Sequence, residues 1–327
     1  MDPCLIIHIG THKTGSTALQ SGLSRLRQDL DRVGVVYPDF GMEAHHGLVA
    51  KSNGLNIKGS VANDPYRAWE SMARAAARSG KKFILSSEEF SRVSPNRPDF
   101  VSILDIVERH VPARLICFVR EPLGFLQSAY VELSKARTPP PPEVVVDEAI
   151  ISGTFTGVAV DYNVLLDTLE QQMPLGKVEF YSYEKATSSA DGIVSFFLNE
   201  VLPELSAEGL KALPSSENKS EPALAVWAAN LVCSPRVPTT GDIHLVADAI
   251  AKRVPDLRRA SLFNIEEIER LHFRFAPAAK RLAQRIGKPD DFAAPPSIES
   301  FFGKPSRRQL DAMVWSDIAR AFYARAA

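Results

Sequence analysis

Residues 10–17, GTHKTGST, pack two glycines, three threonines, a serine, a histidine and a lysine into eight positions. They follow an apolar run, CLIIHIG, and precede a helical pattern, STALQSGLSRLRQDLDRVG. A strand feeding a glycine-bearing loop that opens a helix makes an anion site, because backbone N–H groups converge there and the helix dipole favours negative charge. Gly10 lets the chain turn sharply, and Gly15 removes a side chain where an oxyanion must approach the backbone. Ser16 and Thr17 add hydroxyl donors. The ATP-type loop reads G-x-x-x-x-G-K-[ST]. Here Gly10 and Gly15 keep the glycine spacing and Thr17 keeps the hydroxyl, but Ser16 stands at the lysine position and the lysine is Lys13, inside the loop. A cation moved there points at the reacting end of a shorter anion chain.

A second anion site is expected at FVREPLGFLQSAY (118–130). Arg120 sits at a strand exit, Pro122 starts the next helix, and Ser128 lies eight residues beyond Arg120. An arginine fork with a serine hydroxyl suits a terminal phosphate. Arg120 could equally pair with a neighbouring carboxylate; the combination with the loop favours the anion site.

Together these residues resemble the sulfotransferases that use 3′-phosphoadenosine 5′-phosphosulfate (PAPS), over about the first 230 residues. DYNVLLDTLEQQMPLGKVEFYSYE and ENKSEPALAVW are similar to stretches of bacterial members. The resemblance implies a P-loop-type α/β fold and transfer of a sulfuryl group from PAPS to a hydroxyl, less readily an amine, with PAPS as co-substrate and no metal. Thr11, His12, Lys13, Thr14, Gly15, Ser16 and Thr17 would take the 5′-phosphosulfate end. Lys13 would bind the bridging oxygen and stabilise the leaving phosphate, while Arg120 and Ser128 would hold the 3′-phosphate. The C-terminal glycine-rich cofactor loop of the animal cytosolic branch is missing from this sequence.

Such a transfer needs in-line geometry and a base. ILSSEEF ends a strand with Glu88 and Glu89, and Glu88 is favoured because related carbohydrate sulfotransferases take a glutamate from this part of the sheet. His45 and His46, in GMEAHHGLVA, are the other candidates, and at most one of them lines a cleft; His46 joins Lys13 and Glu88 in the expected catalytic set. His12 is read as structural or donor-binding. A zinc site from His12, His45 and His46 lacks a supporting carboxylate or cysteine pattern. Tyr183 and Glu184 are read as structural, the Trp and Phe residues of the C-terminal helices as core, and KRVPDLRRA (252–260) as a solvated face.

The elements that must position these groups alternate. KFILSSEEF, RLICFVREP and KVEFYSYE read as further strands and DFVSILDIVERHV, LGFLQSAYVELSKA, YNVLLDTLEQQM and GIVSFFLNEVL as helices. That order predicts a parallel sheet flanked by helices, with ligands beyond the carboxyl ends of the strands. TPPPP (138–142) is expected to be a loop between helices. After about residue 204 only helices are expected, giving an α/β core over 1–204 and a helical portion over 205–327.

The 327-residue chain is 45% apolar and 24% charged, as ordinary globular proteins are. Its 38 basic and 39 acidic side chains argue against a dedicated nucleic-acid binder. Cys4, Cys117 and Cys233 show neither disulfide nor metal spacing. With no signal-peptide pattern and no run long enough to span a membrane, a cytoplasmic enzyme is expected, acting on a small-molecule or glycan acceptor, lipid-linked glycans included. A P-loop kinase acting on a nucleotide or small molecule is the alternative, as is a non-catalytic nucleotide-binding module.

Overall fold

The computed structural model describes residues 2–52, 64–94, 97–188, 192–203, 205, 220–254 and 256–326. Five parallel strands form one sheet: β1 (Leu5–His8), β2 (Val35–Val36), β3 (Lys82–Ser86), β4 (Ala113–Val119) and β5 (Val178–Ser182), in the order β2-β3-β1-β4-β5. The expected α/β class, a parallel sheet flanked by helices, is therefore what the chain adopts. The strands are near-continuous apolar runs because both faces are covered. Leu5, Ile7, Phe83, Leu85, Leu115 and Cys117 face a core shared with the helices Pro65–Ser79, Phe100–Glu108 and Tyr162–Glu170. Ile6, Ile84, Ile116 and Phe118, one step out of phase, face a second core with helix α1 (Ser16–Arg25), the helix Arg27–Arg32 and residues 193–202.

The order matters for the site. β3 lies on one side of β1 and β4 on the other. The loop after β1 therefore leaves the sheet at its switch point, where a crevice opens beyond the carboxyl ends. His8 is level with Ser86 on β3 and Ile116 on β4, so the segments after β1 and β3 begin side by side while β4 runs on to Val119.

Helix α1 packs tightly at Gly22, where an added Cβ would stand 2.5 Å from Val194 Cγ2. Gly22→Ala should destabilise the fold by about 1–3 kcal/mol through overpacking, seen as a lower urea midpoint. An unchanged midpoint would show that Val194 can move aside.

The chain divides into two compact units: Met1–Arg120, Thr156–Glu217 and Lys280–Ala293 make one, and Glu121–Phe155, Asn218–Ala279 and Ala294–Ala327 the other. The second has its own core of Leu224, Ala228, Val246, Ile250, Val314 and Ile318, with Trp227 and Trp315 packed on it. Lys252, Arg253, Arg258 and Arg259 are exposed there, as expected of a solvated face. Residues 138–141 are a loop, and Pro142 is the first residue of the helix Pro142–Ser152. The stretch ENKSEPALAVW begins outside the described residues, and its last five residues open the helix Ala223–Cys233. No helix among the described residues is long and apolar enough to cross a membrane.

Candidate active site

The loop between β1 and α1 is wound by three left-handed residues, Gly10 (φ 50), Lys13 (φ 64) and Gly15 (φ 74). Lys13 is the costly one, since its Cβ strains that conformation. Surrounding hydrogen bonds hold it. Thr11 Oγ1 donates to the Phe118 carbonyl at 3.0 Å, and Thr14 Oγ1 donates to the Thr11 carbonyl at 2.5 Å. Arg120, just past β4, donates from Nη1 to the Lys13 carbonyl at 3.0 Å. Thr11 and Thr14 are thus fully buried fasteners of the loop.

Gly15 is the N-cap of α1 and, without a side chain, makes no cap hydrogen bond, which suits the first-turn N–H groups to a ligand. Ser16 is only 5% exposed, yet its Oγ has no hydrogen-bond partner among the described residues. A buried hydroxyl is costly to leave unpaired, and here it stands beside Gly10 of the loop. An added Cβ on Gly10 would sit 3.1 Å from that oxygen, so glycine keeps the space open. A Cβ on Gly15 would press on Tyr183 and Ile193. Thr17 is the exposed second residue of the helix.

The end of β3 supplies the carboxylates. Ser87 caps a short 3-10 turn, Glu88–Ser91, which presents Glu88 and Glu89. Glu88 Oε2 accepts from Gln20 Nε2 at 2.9 Å, and Glu88 Oε1 lies 4.0 Å from His46 Nε2. Burial pushes the Glu88 carboxyl up, but His46, its own backbone N–H, His12 and the Gln20 amide outweigh this and hold it below the ordinary carboxylate value. Glu89 is committed to Arg92 through a close ion pair. His12 Nε2, 3.8 Å from Glu89, is buried without a hydrogen-bond partner among the described residues, and burial lowers its pKa despite the carboxylates nearby.

The two adjacent histidines differ sharply. His45 is 1% exposed: its Nδ1 accepts the Ser86 N–H at 2.9 Å, and its Nε2 lies 3.1 Å from the Pro38 carbonyl. Both nitrogens are spent on backbone, and burial holds its pKa at about 4. His45 is thereby a structural pin rather than a base. His46 Nδ1 lies 2.7 Å from Ser87 Oγ, which already accepts the Glu89 N–H at 3.3 Å. Its other nitrogen, Nε2, faces Glu88 Oε1, and the carboxylate, held ionised, is the better-placed acceptor of a proton.

Arg120 joins the loop group on one side and lies 4.9 Å above the Tyr183 ring on the other. The Tyr162 hydroxyl accepts from its N–H at 3.1 Å and donates to its carbonyl at 2.8 Å. Tyr162 and Tyr183, one clamping the backbone of Arg120 and the other supporting its guanidinium, were not legible as site residues. Ser128 is the seventh residue of the helix Pro122–Leu133, half-buried, and belongs to the second compact unit. The loop, Glu88, His46 and Arg120 share the first unit.

No protein-family model matches the chain, and no curated protein matches it. Among solved structures it is similar to a sulfotransferase from Alicyclobacillus acidocaldarius, at 15% identity over 88% of this chain and 97% of that one, with a TM-score of 0.43. It is also similar to the sulfotransferase domain from the curacin biosynthetic pathway, at 13% identity over 62% of this chain and 74% of that one, with a TM-score of 0.30. A chain from the PezAT chromosomal toxin–antitoxin system of Streptococcus pneumoniae gives 13% identity over 64% of this chain and 84% of that one, with a TM-score of 0.31. Likenesses this distant carry no function, so the functional reading rests on the site residues.

Proposed function

We propose that the chain is a sulfotransferase that moves a sulfuryl group from PAPS to a hydroxyl of its acceptor. The observation that carries this reading is the bond from Arg120 to the Lys13 carbonyl. It ties a guanidinium at the end of β4 to the backbone of a lysine-bearing loop at the end of β1. A guanidinium has five N–H donors, more than one carbonyl uses. A donor with a sulfuryl group at one end and a 3′-phosphate at the other needs that arrangement, whereas a nucleoside triphosphate calls for lysine at position 16.

The residues present suit such a donor. The left-handed loop, the uncapped first turn of α1 and the unpartnered Ser16 hydroxyl fit the 5′-phosphosulfate. Arg120 would anchor the 3′-phosphate. Glu88 takes the proton of the acceptor hydroxyl as that oxygen attacks sulfur. A new O–S bond forms, the bond from sulfur to the bridging oxygen breaks, and its electron pair leaves with the 5′-phosphate. Lys13 and the loop N–H groups stabilise the charge that collects there. His46, its Nε2 turned towards Glu88, holds the carboxylate ionised before transfer. Carbohydrates, lipid-linked carriers among them, are the first acceptors to screen.

Arg120→Ala tests the donor site. Losing a charge-assisted fork should weaken binding of 3′-phosphoadenosine 5′-phosphate by about 10- to 100-fold in calorimetry. Affinity within twofold of wild type would take Arg120 out of donor binding.

A further inference from the structure

We propose that Gln20 is a positioning residue for the base, fixing which oxygen of Glu88 receives the acceptor proton; this rests on the reading of Glu88 as that base. Gln20 is 3% exposed and lies one helical turn beyond Ser16 on the same buried face of α1. One helix face thus carries both the hydroxyl that borders the anion loop and the anchor of the base. The Gln20 amide donates to Ser86 Oγ at 3.3 Å and to Glu88 Oε2 at 2.9 Å.

The network behind it fixes which end of the amide faces the carboxylate. His8, fully buried on β1, has Nδ1 2.7 Å from Ser86 Oγ, as the level register of the two residues allows. The Ser86 hydroxyl has one hydrogen. Given to His8, it leaves Ser86 an acceptor, so the amide must offer its NH₂ end. The reverse orientation would set the amide oxygen against an acceptor-only carboxylate. Burial holds the His8 pKa at about 4, which keeps Nδ1 available as an acceptor. Glu88 Oε2 is then tied down, and Oε1, the oxygen nearer His46 Nε2, is left to take the proton.

The other groups around Glu88 are His46, His12, Glu89 and Arg92, with Tyr37 and His8 further back. None of them replaces the Gln20 donor. Gln20→Met keeps the length and loses both N–H groups. In ligand-free protein, the Glu88 carboxylate carbon, assigned by its loss in Glu88→Gln, should titrate about one unit higher than in wild type. The acidic limb of kcat/KM should rise by the same amount, with donor KM within twofold. Gln20→Glu, equal in size, sets a second carboxylate against the first and should drive that titration higher still; it serves as well if the methionine variant misfolds. An unchanged Glu88 titration in both variants, or a shifted titration with an unmoved limb, overturns the proposal. If wild-type protein transfers no sulfuryl group while the titration shifts as expected, the donor reading fails and the Gln20–Glu88 link stands.

Discussion

Lys13→Ala is expected to lower kcat by about 10²- to 10³-fold, while affinity for 3′-phosphoadenosine 5′-phosphate falls less than about tenfold. The asymmetry follows from where the loop gets its grip. In the proposed mechanism backbone N–H groups and the Ser16 hydroxyl bind the resting anion, and the bond that Arg120 makes goes to the backbone carbonyl of residue 13, which alanine retains. The lysine side chain matters most when negative charge collects on the bridging oxygen, and interactions made only then raise kcat rather than affinity. Lys13→Met, which keeps the length, should behave as alanine does. Turnover near wild type in both would remove Lys13 from the mechanism.

Glu88→Gln is expected to cost about 10²- to 10⁴-fold in kcat, the usual range for a lost general base, with donor binding little changed. His46→Ala should cost less, because in the proposed mechanism His46 acts through Glu88. The wild-type pH profile separates the two. With Glu88 held below the ordinary carboxylate value, the base is ionised throughout the neutral range, and activity should fall only when acid protonates it. The acidic limb of kcat/KM should therefore lie below about 4.5. A limb near the ordinary imidazole value of about 6.5, lost in His46→Ala, would make His46 the base instead.

Much of this site was visible in the residues themselves. The β1 loop and the Arg120 exit announce themselves because buried parallel strands are apolar runs and the loop glycines interrupt them. The carboxylates after β3 follow for the same reason. What stayed hidden depends on the third dimension. Gln20 reads as one more polar residue of an amphipathic helix; only the level pairing of His8 with Ser86 reveals that a polar chain runs behind the base. His45 and His46 are indistinguishable as neighbours in sequence. Their roles separate because the backbone N–H of Ser86 and the carbonyl of Pro38 claim both nitrogens of the first. The two-residue strand Val35–Val36 is too short to leave a periodic signal. The helix Pro65–Ser79 was missed although it left signals: the Asp64 cap, Pro65 at the first position and the buried Trp69, Met72, Ala73 and Ala76.

The most direct test of the account is the melting temperature of the full chain with 3′-phosphoadenosine 5′-phosphate, set against ATP with Mg²⁺. A ligand that binds only the folded state, at 100 times its Kd, adds about 2.7 kcal/mol, enough for a clear rise. The account predicts that rise with the bisphosphate and little with ATP and Mg²⁺. A rise with ATP and Mg²⁺ alone would contradict it, and would mean that a lysine at position 13 serves a triphosphate after all.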